Sequence, residues 1–151
     1  MSTFARFGIL CVLILAAAGC GQESDKTDMT ALQPTIEAAR QDPEATVSLF
    51  YDFLIQKEYA AAEALVTPEL ANSITNNGRY SYAEAQSRRN YTVGYIMRYE
   101  ILAVRYPDPS TAHVDIDVYR SSVGASERTT VVSQGPQGWQ ISGGFSRNIV
   151  P

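Results

Sequence analysis

His113, Asp115 and Asp117 are the residues whose types and spacing come nearest to a reactive set. Alternate residues of a strand share a face, so the two carboxylates would stand about 7 Å apart with the imidazole beside them. Such a trio could supply a general base or begin a metal site. A hard cation needs more oxygen ligands than this pair supplies, and the alternation sets all three opposite Val114, Ile116 and Val118, on the wet side of the strand. The expectation is a solvated face with no catalytic, cofactor or metal role. A second set is aromatic. Tyr51, Tyr95, Tyr99 and Trp139 suit either a packed interior whose polar tips reach its rim or the lining of a small-ligand pocket. No Ser-His-Asp order, phosphate-cradling glycine loop or CxxC pair occurs, and Gly143-Gly144 reads as a strand bend.

Composition narrows the classes further. The chain has 151 residues, 45% of them apolar and 19% charged, enough for one domain with one core. Its formal net charge is −4, and residues 1–19 hold only Arg6, which leaves 11 basic against 16 acidic side chains beyond them. That balance excludes nucleic acid as a partner, because such binding is dominated by Lys and Arg contacts to phosphate. The cysteines, Cys11 and Cys20, lie in the first twenty residues, so the folded part must hold by burial alone.

Phe7 to Gly19 is a run of 13 residues without a charge, too short for the roughly 20 that span a bilayer and suited to a signal-peptide core. It ends in Leu15-Ala16-Ala17-Ala18-Gly19-Cys20, which resembles the bacterial lipobox. That resemblance implies cleavage before Cys20, diacylglyceryl on its sulfur and a lipid-anchored, exported protein of the cell envelope. Two or more acyl chains anchor a protein stably where one does not. Residues 20–41 then read as the lipidated cysteine and a flexible tether, polar from Gly21 to about Gln33, with a short helical turn near Pro34 to Arg40 whose Thr35, Ile36, Ala38 and Ala39 would pack weakly on the body, and 42–151 as the domain.

The domain should open with helices. Asp42 can cap, Pro43 suits the first helical position, and Val47, Phe50, Tyr51, Leu54 and Ile55 make one apolar face. A second, alanine-rich helix follows Lys57-Glu58 and carries Leu65. Thr67-Pro68 starts a short third that carries Ile74 and stops at Asn77-Gly78. Ser81 to Glu84 matches a capping box for a helix from Tyr82 to about Arg89. Arg88-Arg89 reads as a solvated helix end favourable to the dipole, or as a pair that attracts an anion.

The period then changes from helix to strand. Tyr91, Val93, Tyr95, Met97, Tyr99 and Ile101 alternate as an inward face, with Ile96 opposite and a bulge near Glu100 to Ala103. After the turn Pro107 to Ser110 comes the strand Ala112 to Tyr119. Residues 121–126 read as a loop, Arg128 to Gln134 as a third strand, and Trp139, Ile141, Gly143 and Phe145 as one face of a fourth. Helices followed by an antiparallel meander predict an α+β domain with the helices packed on one face of a curved sheet.

The proline-led helix with Phe50-Tyr51, the short helix after Lys57-Glu58-Tyr59, the strand at Thr111-Ala112-His113-Val114 and the late Gly138-Trp139-Gln140-Ile141 together resemble the NTF2-like superfamily. They resemble in particular its small DUF4878-type bacterial lipoproteins. The resemblance implies a cone of helices on a curved sheet whose interior can hold a pocket. It implies a binding or structural role with no cofactor, alongside two alternatives, a carrier of a small apolar ligand and an isomerase- or cyclase-like enzyme. The implied partners are the membrane, an envelope protein and a second copy of the chain.

Overall fold

The computed structural model describes residues 28–72, 81–88 and 94–146. Cys20, the signal segment, Ile74, Asn77-Gly78, Arg89, Tyr91 and Val93 lie outside the described residues. Among the described residues five helices precede four strands: α1 (Met29–Ala39), α2 (Pro43–Gln56), α3 (Tyr59–Glu63), α4 (Pro68–Ala71), α5 (Tyr82–Arg88), β1 (Ile96–Asp108), β2 (Thr111–Arg120), β3 (Gly124–Gly135) and β4 (Gly138–Ser146). The strands pair in chain order as an antiparallel meander, β1-β2-β3-β4, and the helices cover one face. The fold is α+β, as the sequence predicts.

Local signals start and stop the helices. Asp42 Oδ2 accepts from Ala45 N at 2.8 Å, and Pro43 fills the first position of α2. Lys57, at φ +65°, turns the chain out of α2, while Glu58 N donates to Phe53 O at 2.8 Å and takes up an orphan carbonyl. Thr67 Oγ1 caps α4, and Ser81 Oγ accepts from Glu84 N at 3.1 Å to open α5. The apolar stripe of α2 is buried at Val47, Phe50, Tyr51, Phe53 and Leu54, and it faces Val114, Ile116 and Val118 of β2 within one core. Each large side chain so buried contributes about 1.5–3 kcal/mol.

Two expectations fail here for identifiable reasons. The tether is shorter than expected: the helical turn read near Pro34 to Arg40 extends back to Met29 as α1, and Ile36 and Ala39, expected to pack weakly, are 1% and 8% exposed. Asp28 Oδ1 caps it at Thr30 N, Arg40 Nη2 donates to Ala64 O, and Trp139 N donates to Arg40 O at 2.8 Å. Its buried side chains are few, so its composition alone looks like a linker.

The phase of β1 is also reversed at its start. Ile96 is buried while Tyr95 and Met97 are exposed, at 55% and 65%. A register shift between Ile96 and Arg98 then switches faces, so that Tyr99 and Ile101 turn toward the helices. The expected bulge is present as a second shift between Ile101 and Ala103. β3 begins at Gly124, four residues before the expected start. In β4, Ile141 pairs with Val132 but Gly143 pairs with Val131, so the alternation from Ile141 to Gly143 breaks at Ser142.

Candidate functional site

Among the described residues, a cavity of about 80 Å³ lies between α2, α5 and the end of the sheet formed by β3 and β4. A water occupies about 30 Å³ in the liquid, so the cavity has room for roughly two or three waters. Phe50, Tyr51 and Tyr82 form its helical wall with Gln86, and Ile141 lies at its base. Arg128, Thr129 and Thr130 of β3, with Gly143 and Gly144 of β4, form the sheet wall.

Strand alternation explains the polar side. Arg128 pairs with Ile116 and Thr130 with Val114, so both lie in the inward register of β3 although neither is apolar. Arg128 Nη1 donates to Gln86 Oε1 at 3.4 Å. Tyr51 and Thr130 are each 6% exposed. Among the described residues, Tyr51 Oη, Thr130 Oγ1 and Gln86 Nε2 have no hydrogen-bond partner. The lining carries no carboxylate, imidazole or thiol.

The wall that bears Gln86 is held from three directions. Buried Arg120 donates to Gln86 O at 2.9 Å and Ser87 O at 3.3 Å, carbonyls at the C-terminal end of α5, and to Gly94 O at 3.1 Å just before β1. Glu63 accepts from Ala83 N, and Tyr59 Oη lies 3.3 Å from Ser87 Oγ. A cationic side chain at carbonyls that have no partner inside the helix is the favourable sign there.

Of the four aromatics singled out from sequence, only Tyr51 lines the cavity. Tyr99 packs its ring 5.5 Å from that of Tyr51 and spends its hydroxyl on Ser48 O, 3.0 Å, and Asp52 Oδ1, 2.9 Å. Burial, then the hydrogen bond and charge of Asp52, push its pKa up to about 12. Trp139 is core, with Tyr106 at 6.3 Å, and exposed Tyr95 sits under Lys57 Nζ at 5.2 Å. Tyr95 is therefore removed from the pocket, because the shift at Ile96 turns it outward.

The expected wet face of β2 needs correction too. Asp115 is 4% exposed: Arg105 grips it with Nε at 2.9 Å and Nη2 at 2.7 Å, and Thr129 Oγ1 donates to it at 2.7 Å. Both neighbours belong to flanking strands, so burial comes from lateral partners that the alternation of β2 alone does not reveal. The hydrogen bond to Asp115 also raises the Arg105 pKa further. His113 and Asp117 are half-buried, and among the described residues no group of three His, Cys, Asp or Glu side chains is placed to hold a metal ion. Arg128, Gln86 and Thr130 were not singled out from sequence. The available signal was the inward phase that Arg128 and Thr130 share with Val132.

No protein-family model matches the chain, and no curated protein matches it. Solved structures similar in shape include two bacterial proteins. A SEC-C motif-containing protein from Rhodopseudomonas palustris aligns over 83% of this chain and 96% of its own, at 14% identity and a TM-score of 0.56. A protein titled a candidate NTF2-like transpeptidase from Campylobacter jejuni aligns over 67% of this chain and 97% of its own, at 10% identity and a TM-score of 0.45. The first likeness bears on the fold alone.

Proposed function

We propose that the chain is a lipid-anchored protein of the bacterial cell envelope, and that its NTF2-like domain is a binding module rather than an enzyme or a carrier of large apolar molecules. The observation that carries the binding reading is the small size of the cavity between α2, α5 and the sheet: about 80 Å³ is far below the roughly 300–1,000 Å³ of drug-sized ligand pockets. A lining without carboxylate, imidazole or thiol lacks the usual general bases and strongest nucleophiles. The order of helices before a four-stranded meander supports the NTF2-like reading. The anchor rests on Leu15 to Cys20.

The test takes the full chain expressed in a bacterial host. Wild-type protein should sediment with membranes and partition into detergent, and Cys20→Ser should appear in the soluble fraction. Retention of the serine variant would refute the anchor. Displacement of an apolar fluorescent reporter from the detergent-free Cys20→Ser chain by a fatty acid, with saturation at one site, would refute the binding-module reading in favour of a carrier.

A further inference from the structure

We propose that β1 is a pairing edge for a second copy of this chain, the two β1 strands lying antiparallel about a twofold axis at Tyr99. This inference rests on the binding-module reading and names the partner. Among the described residues the exposed large apolar side chains are Tyr95, Met97, Leu102, Tyr106 and Val123, and all but Val123 lie on β1 or immediately before it. A margin strand so furnished is a template for strand addition.

Charge selects the occupant and the register. Between its register shifts at Ile96/Arg98 and Ile101/Ala103, β1 runs regularly from Arg98 to Ile101. Arg98 lies opposite Tyr119 and Glu100 opposite Asp117, on the face away from the helices, and both Arg98 and Glu100 are exposed. The Arg98 guanidinium sits over the Tyr119 ring, 3.6 Å from its centre, and its N–H groups have no partner among the described residues. Glu100 meets a like charge in Asp117, a destabilising arrangement, and neither carboxylate has a cation beside it among the described residues. Glu127, next to Asp117 on β3, has an interaction of its own. A twofold axis at Tyr99 sets Arg98 of each copy opposite Glu100 of the other. Axes at Arg98 or Glu100 would oppose like charges, and one at Ile101 would set Arg98 against Val104 and Glu100 against Leu102. Only the axis at Tyr99 joins opposite charges, and the same two charges disfavour an unrelated apolar strand.

Such an axis, perpendicular to the sheet, leaves the helices of both copies on one side. The helix α1 starts at Met29, a reach of at most about 30 Å of chain from Cys20. Both anchors can therefore enter the same membrane, where confinement raises the effective concentration for a pairing too short to be strong in bulk.

The experiment follows the full chain in density-matched detergent micelles by sedimentation equilibrium, at concentrations up to about 1 mM. Wild type should show a reversible monomer–dimer equilibrium that weakens with salt. Arg98→Glu and Glu100→Arg should each weaken dimerisation at least about tenfold, since each turns the attraction on both sides of the axis into repulsion. The double variant Arg98→Glu/Glu100→Arg restores complementary pairs and should return to within a few-fold of wild type. Both positions are exposed, and thermal melts check that each variant folds. A wild type that stays monomeric, a dimer indifferent to both single reversals, or a loss that the folded double variant does not recover overturns the pairing. Displacement of an apolar reporter by a fatty acid would instead overturn the binding-module reading, and the partition of Cys20→Ser bears on the anchor alone.

Discussion

Tyr99 Oη on β1 donates to Asp52 Oδ1 on α2 at 2.9 Å, tying the edge strand of the sheet to the helix at the centre of the core. The same hydroxyl reaches Ser48 O at 3.0 Å, so one phenol spans just over a turn of α2.

Tyr99→Phe should destabilise the domain by about 1 kcal/mol, since the hydroxyl is only partly buried and Asp52 remains half-exposed after the loss. The pH dependence has a definite sign. The folded-state pKa of about 12 lies above the unfolded value near 10, so the contribution is complete below pH 10 and disappears as pH rises through 12. Titration of phenolate absorbance should show the highest-pH step vanish in Tyr99→Phe. Persistence of that step would assign it to another tyrosine.

Asp115→Asn should lower the urea midpoint with little change in slope, at a cost of about 1–3 kcal/mol. The amide cannot accept both guanidinium donors of Arg105 together with the Thr129 hydroxyl. Arg105 is half-exposed, which keeps the loss below that of a fully buried pair. Equal stability of Asp115→Asn and wild type would place the pair among ordinary surface contacts.

Ile36→Ala should cost about 2–4 kcal/mol, because Ile36 is 1% exposed in the core and truncation leaves a void. Gly138→Ala should weaken the same docking from the other side. Its φ is +91°, and a Cβ there would lie 2.4 Å from Arg40 O, the acceptor of the Trp139 amide. Faster hydrogen exchange at the Trp139 amide in both variants would report the loosening of α1. Wild-type stability in Ile36→Ala would restore the tether reading.

What sequence reveals here follows the range of the forces involved. The caps Asp42, Thr67 and Ser81, the stripe of α2 and the bulge near Glu100 to Ala103 depend on residues within a few positions of one another, and each is legible. Tyr95, Asp115 and α1 are misread because their environments are set from a distance. A one-residue shift turns Tyr95 outward, Arg105 and Thr129 from two other strands enclose Asp115, and the β3–β4 hairpin anchors Arg40. The candidate site suffers most. Arg128 and Gln86 are 42 residues apart, and nothing local to either announces the other.

One small contact has a consequence for assembly. Val66 forms a parallel bridge to Ile141, with Ile141 N donating to Leu65 O and Thr67 N to Ile141 O, each at 2.8 Å. The α3–α4 connection thus occupies the middle of the β4 margin, while the β1 margin has no strand beside it among the described residues. Strand addition at the middle of β4 would have to displace the Val66 bridge, whereas addition along β1 meets no such contact among the described residues.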